Sequence, residues 1–88
     1  MANPVITACP VNVWTKVATN VTSGQIHIKD TRPGVYLHTY RTSGEAAPTL
    51  QTEGVAIPGP SIPIQATAGI DIYIWPTGVA GSVRVDAP

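Results

Sequence analysis

The chain has 88 residues, a formal net charge of +0 and only 11% charged residues, against about 25% in an average globular domain. Its five basic residues are scattered along the sequence, which argues against the phosphate-neutralising patch that nucleic-acid binding needs. No run approaches the roughly 18 apolar residues of a membrane helix. These properties predict one small domain with a thin core and the kind of uncharged surface that packs among neighbours.

Strand-forming residues dominate the chain, and no stretch has apolar residues at helical spacing over three turns. Val, Ile and Thr favour a pleated surface, and Pro and Gly interrupt the pattern at short intervals. The sequence therefore predicts an all-β fold, a small antiparallel β-sandwich or barrel of six to eight strands. In chain order the predicted strands are residues 4–8, 11–18, 25–30, 35–42, 55–57, 62–68, 70–75 and 83–86, with residues 19–24 as a turn.

Residues 1–10 are predicted to form an extended N-terminal arm, and residues 11–88 a single β-sandwich or barrel domain. Prolines near both ends of the arm disfavour helix, and its contact candidates are Pro4, Val5 and Ile6. Such an arm adds a strand to a neighbouring sheet or covers the edge of its own sheet, and the sequence leaves both alternatives open. The long polar loop at residues 43–54 is a further contact candidate.

The aromatic residues are predicted to lie on the face of the sheet opposite the Val and Ile side chains. In every predicted strand with an aromatic residue, the aromatic positions alternate with the aliphatic ones, so the two kinds of side chain point to opposite faces. Tyr and Trp combine a large apolar ring with a polar group, which suits a surface that is wet before assembly and dry after it. Two alternatives stay open: cross-strand ring pairs on an open sheet, and rings at strand ends that cover the rim of a barrel. The predicted interface residues are Trp14, Tyr36, Tyr40, Tyr73 and Trp75.

No catalytic, cofactor-binding or metal-binding set is found in the sequence. His27 and His38 lie on different predicted strands without ligand spacing, and Cys9, the only cysteine, has no basic neighbour to lower its pKa. Asp71 and Asp86 are candidates for a carboxylate pair on adjacent strands, but Arg84 is placed to neutralise one of them, which favours a surface ion pair over acid/base catalysis. We therefore expect a protein that is not an enzyme and has no small-molecule substrate.

Four segments give the chain a resemblance to a known group of proteins: "VWTKVATNVTSGQIHIK", "GVYLHTYR", "EGVAIP" and "IDIYIWPTGVAGSVRVD". Together they resemble the small all-β structural proteins encoded among the head genes of tailed bacteriophages. The resemblance implies a virion component that coats or braces the capsid, often as a trimer or dimer. It carries over no catalytic or binding residue.

The expected function is that of a virion structural protein, made in the host cytoplasm, which self-associates as a trimer or dimer and docks on the major capsid protein. Such a protein decorates or stabilises the shell, and it requires no cofactor, nucleic acid or membrane. Two alternatives stay open at this point. One is a carbohydrate-binding or adhesin module of a phage fibre, since a row of rings stacks on sugars. The other is a structural component of the neck or tail.

Overall fold

The computed structural model describes residues 5–28, 36–56, 61–78 and 80–86. This part of the chain contains no α-helix, and its only helical element is a 3-10 turn at Gln51–Glu53. The strands are β1 (Val5–Cys9), β2 (Thr15–Ile28), β3 (Tyr36–Thr42), β4 (Val55–Ala56), β5 (Ser61–Pro76) and β6 (Gly81–Asp86).

The six strands of the described residues belong to one antiparallel sheet in the order β1-β6-β2-β5-β3-β4. The predicted all-β antiparallel fold is therefore confirmed. The two central strands, β2 and β5, are much longer than the predicted strands. Each joins two segments that were predicted to be separate, and the predicted turn at residues 19–24 is wrong, because β2 continues through it.

Irregular pairing bends the two long strands, β2 at the predicted turn and β5 at the end of the predicted strand 62–68. Three register shifts interrupt the β2–β5 ladder between Lys16 and Ser23, and residues 66–69 of β5 have no partner in β2. Asn20 lies in the left-handed region at φ 53°, which an Asn adopts more easily than most residues. The polar residues of this stretch therefore indicate a bulged, bent strand and not a chain reversal.

The bend folds the sheet so that its two halves face each other across one core. One half contains β1, β6, the end of β2 and the start of β5, and the other contains the start of β2, the end of β5, β3 and β4. The contact between Gly81 of β6 and Tyr36 of β3 joins the halves: a Cβ on Gly81 would overlap the Tyr36 hydroxyl oxygen. The buried core residues are Cys9, Val17, Ala18, Ile26, Ile28, Tyr36, Ile64, Ile72, Ile74, Val83 and Val85.

Asp71 stabilises the bend through buried polar contacts. Its side chain is only 2% exposed, and Oδ1 accepts a 2.9 Å hydrogen bond from the backbone N–H of Asn20. The Lys16 Nζ lies 3.4 Å from Oδ2. The Asn20 N–H is the main cause that lowers the pKa of Asp71, and the Ser43 hydroxyl and the Lys16 charge add to it. A buried carboxylate with these partners fixes the start of β2 to the end of β5.

Candidate functional site

The five aromatic side chains lie on two faces of the sheet, and the predicted common face is wrong. Residues directly opposite in an antiparallel pair have side chains on the same face. Tyr40 lies opposite Ile72, and Tyr36, 4% exposed, is part of the hydrophobic core. Apolar groups occur at both the odd-numbered and the even-numbered positions of β3, so alternation alone does not show which set faces the core. The pairing of Leu37 with Trp75 shows that the odd-numbered positions face outward.

The remaining three rings keep the predicted face, opposite the isoleucines of β5, and are called the aromatic face here: Trp14, Tyr73 and Trp75. The ring centroids of Trp14 and Trp75 are 5.4 Å apart, with an interplanar angle of 66°. Lys16, directly opposite Tyr73, places Nζ 5.8 Å from the centroid of the Tyr73 ring. These contacts form a second, smaller apolar layer on the outer side of the sheet.

Residues 43–54, called the flap here, cover this aromatic face. The Trp14 Nε1–H donates a 3.1 Å hydrogen bond to the Leu50 carbonyl oxygen. A Cβ on Gly54 would lie 2.7 Å from Cη2 of Trp14, so the backbone of the flap lies directly against the ring. Tyr73 is 4% exposed, and the buried Nε1 of Trp75 has no hydrogen-bond partner among the described residues. The long polar loop is thus a cover for rings of its own chain.

A carboxylate holds the flap in its folded form. The Glu53 carboxylate accepts hydrogen bonds of 2.9 Å from the backbone N–H groups of both Leu50 and Thr49, and it pairs with the Arg41 guanidinium of β3. The Leu50 N–H contributes most to the lowered pKa of Glu53, followed by the Thr49 N–H, while the Arg41 charge contributes less. The flap is therefore anchored to the sheet through one ion pair and closed by its own backbone.

The predicted interface residues differ in how much of their side chains is exposed to solvent and can contact a second chain. Tyr36 and Tyr73, each 4% exposed, present almost none to a second chain. Trp14 and Trp75 are partly buried, and Tyr40 is 43% exposed. The contact role stays a prediction for these last three residues.

An exposed apolar strip runs along the β3–β4 edge of the sheet, and it is called the β4 rim here: His38, Tyr40 and Val55. Val55 is 64% exposed and lies opposite His38, whose ring contacts that of Tyr40 with centroids 5.3 Å apart. The His38 Nδ1–H donates a 2.9 Å hydrogen bond to the Val55 carbonyl oxygen, while burial lowers the pKa of His38 and raises that of Tyr40. A lowered pKa favours the neutral form of the imidazole at neutral pH. The sequence analysis missed Val55, whose signal is a β-branched residue in a very short strand after Gly54.

The N-terminal segment contributes an edge strand to the sheet of its own chain. Residues 5–9 form β1, which pairs antiparallel with β6, so the second of the two alternatives for the arm describes these residues. Pro4 lies outside the described residues, and of Val5 only the backbone is described. Ile6 is 68% exposed on the outer face.

The charged groups form separate pairs at the surface and at the bend. Strand β2 separates β5 from β6, so Asp71 and Asp86 do not lie on adjacent strands as the sequence analysis considered. Arg84 Nε and His27 Nε2 each lie 3.0 Å from the carboxylate of Asp86, on the outer face. Neither arrangement combines a nucleophile with a base.

Reactive side chains are equally sparse in the described residues. Burial raises the pKa of the Cys9 thiol to about 11, which keeps it protonated at neutral pH. Within the described ranges, no three His, Cys, Asp or Glu side chains lie close enough together to hold a metal ion. The same ranges contain no helix with the length and apolarity needed to cross a membrane.

Comparisons with family models, curated proteins and solved structures find no match to this chain. Its function is therefore inferred from the residues and contacts described above.

Proposed function

We propose that this chain is a non-enzymatic virion structural protein that self-associates and docks on a phage capsid shell, which it decorates or stabilises. The observation that carries the proposal is the β4 rim. Tyr40 and Val55 are exposed at the edge of the sheet, in contact with His38, while Tyr36 and Tyr73 are buried and Trp14 and Trp75 are partly buried. Exposed apolar side chains with polar handles are typical of contact surfaces between proteins.

The low charge of the chain supports the same function. With 11% charged residues and a net charge of +0, the surface has little electrostatic barrier to packing many copies side by side. Each contact needs to contribute only a few kcal/mol, because many linked contacts add up by avidity over a shell. The partners are a second copy of the chain and the major capsid protein, and the protein functions in the virion.

Co-sedimentation with purified head shells that lack the chain tests the proposal. We expect the chain to sediment with shells, and a Tyr40→Ser/Val55→Ser variant to bind at least about tenfold more weakly, as expected when central contact residues are truncated. Val13→Ser is the matched control, because Val13 is 43% exposed, as is Tyr40, but lies in the turn before β2. Thermal unfolding of each variant establishes that it is folded.

Three results would contradict the proposal. A chain that stays in the supernatant at every shell concentration has no docking function. A rim variant that binds like Val13→Ser places the contact elsewhere. Sedimentation with purified tails and not with heads supports the neck or tail alternative instead.

The carbohydrate-binding alternative has less support in the geometry. The rings of Trp14 and Trp75 are inclined at 66° to each other, and the flap covers them, so they form no flat platform for a sugar ring. Glycan binding by the isolated monomer, measured by calorimetry, is the result that favours this alternative.

A further inference from the structure

The outer edge of β1 is an open edge of the sheet. β1 is the first strand in the sheet order, and within the described residues no strand lies on its other side. Its exposed residues, Ile6 and Ala8, carry no charge, and no Asp, Glu, Lys or Arg occurs in residues 5–13. Open edges are usually protected by Lys, Pro or bulges, and the five residues of β1 contain none of these.

The positions of backbone groups on this edge follow from Pro63. Proline has no N–H, so Pro63 and Gln25 are opposite each other as a pair that exchanges no backbone hydrogen bonds between β5 and β2. The N–H and C=O groups of Gln25 therefore point the other way, toward Asp86 of β6. Because these directions alternate along β6, the N–H and C=O groups of Val85 point toward Val5 of β1. The alternation along β1 is set by this register: residues 5, 7 and 9 pair with β6, while residues 6 and 8 direct their N–H and C=O groups outward.

The two outer edges of this half of the sheet differ in what they offer. On β5, the outward N–H at position 63 is missing because of the proline, and residues 66–69 bulge away from β2. On β1, Ile6 and Ala8 supply two donors and two acceptors two residues apart. A two-fold antiparallel pairing centred on Thr7 places Ile6 opposite the partner's Ala8, and all four groups of both copies are then bonded.

We propose that two copies of this chain pair through their β1 edges, antiparallel and centred on Thr7, so that one continuous sheet crosses the dimer. The inference rests on the self-association proposed above and gives it a surface and a register. The side chains fit the same register. A depression of about 420 Å³ lies beside Ala8, lined also by Cys9, Pro10, Ala80, Gly81 and Ser82, and the partner's Ile6 comes to lie next to it. This register places the exposed Ile6 of each copy beside the depression of the other, and a closed two-fold dimer results.

The contact is small. A five-residue edge buries less than the roughly 800 Å² per partner of a standard interface, so we expect a dimer that dissociates on dilution. Sedimentation equilibrium of the full chain, from about 1 µM to about 1 mM, measures this dissociation. Ala8→Lys adds a charge to the edge without touching the β1–β6 hydrogen bonds, and we expect it to raise the dimer dissociation constant at least about tenfold. Gln25→Lys adds the same charge at an exposed position on an interior strand and is the matched control.

A cysteine cross-link tests the register directly. Only a residue on the two-fold axis meets its own copy, and Thr7 faces the partner's Thr7 with a Cα–Cα distance of about 4.5 Å, within disulfide range. In a Cys9→Ala background, we expect Thr7→Cys to form a disulfide-linked dimer on mild oxidation, and Ile6→Cys, which faces Ala8 of the partner subunit, to form little.

The outcomes separate this inference from the proposed function. A chain that stays monomeric up to about 1 mM overturns the β1 dimer and the self-association together. A wild-type dimer that Ala8→Lys leaves intact, and that Thr7→Cys does not cross-link, overturns only the β1 pairing. If Ala8→Lys abolishes the dimer but still binds shells through the β4 rim, the result supports both the β1 dimer and the docking function. It also assigns the two contacts to opposite edges of the sheet.

Discussion

The contact between Gly81 and Tyr36 gives the most direct test of the folded-over sheet. Gly81 lies on β6 and Tyr36 on β3, in the two halves that face each other. A methyl group at Gly81 would overlap the Tyr36 hydroxyl and lie 2.9 Å from the ring carbon Cζ, so Gly81→Ala forces the ring or the strand to move. In an open sheet with Tyr36 on the outer face, the same substitution would meet nothing.

The size of the effect follows from two opposing contributions. Overfilling a packed core costs about 1–3 kcal/mol. Gly→Ala at a position with free space instead stabilises by about 0.4–1 kcal/mol, because it restricts the unfolded chain. Gly78 is such a position, since it is exposed and a Cβ added there would have no heavy atom within 4 Å. A loss of about 2 kcal/mol in a domain of this size lowers Tm by about 8–16 °C.

Urea unfolding followed by tryptophan fluorescence measures both variants against the wild type. We expect Gly81→Ala to lower the free energy of unfolding and Gly78→Ala to leave it unchanged or raise it. Combining Gly81→Ala with Tyr36→Phe removes the overlapping oxygen, so the two substitutions should couple favourably by at least about 1 kcal/mol. If Gly81→Ala is as stable as Gly78→Ala, or if the coupling is zero, the two halves of the sheet do not pack as described.

Asp71→Asn should destabilise the fold more than Asp86→Asn in the same urea assay, because Asp71 is buried with three partners while Asp86 is at the surface. The pKa of Asp71 is lowered in the fold, so the ionised carboxylate adds to the free energy of unfolding above the ordinary carboxyl pKa, and this contribution is lost as the pH falls through the pKa of the folded state. The difference in the free energy of unfolding between the wild type and Asp71→Asn should therefore vanish in strong acid. A difference that persists there contradicts this account. The pKa of Cys9 is raised from 9.0 to about 11, so at pH 8 the native protein has about a hundredfold less thiolate than a free thiol. Labelling of Cys9 by a thiol reagent should therefore be slow in the native protein and fast in urea. Equal rates in the two conditions would show that Cys9 is not buried. The same raised pKa predicts that Tm falls between pH 9 and about 11, and that Cys9→Ala reduces this fall.

The candidate site was only partly predictable from the sequence. Alternation placed Tyr73 and Trp75 correctly, because Ile72 and Ile74 leave only one parity of β5 for the aliphatic core. It failed for Tyr36 because β3 has apolar groups at both parities, and only cross-strand pairing distinguishes them. The flap carries no periodicity, so nothing local indicates that its backbone at Gly54 packs on Trp14, a contact 40 positions away in the chain.

The sequence by itself determined the class of fold, since β-branched residues with frequent Pro and Gly have stable conformations mainly in short-turned antiparallel sheets. It also determined that the chain has a net charge of +0 and only 11% charged residues. Only the tertiary structure decided which side of each strand is buried, where β2 and β5 bend, and which rings are covered by the chain itself. These properties depend on register between distant strands, and a shift of one residue exchanges the two faces without changing any local preference.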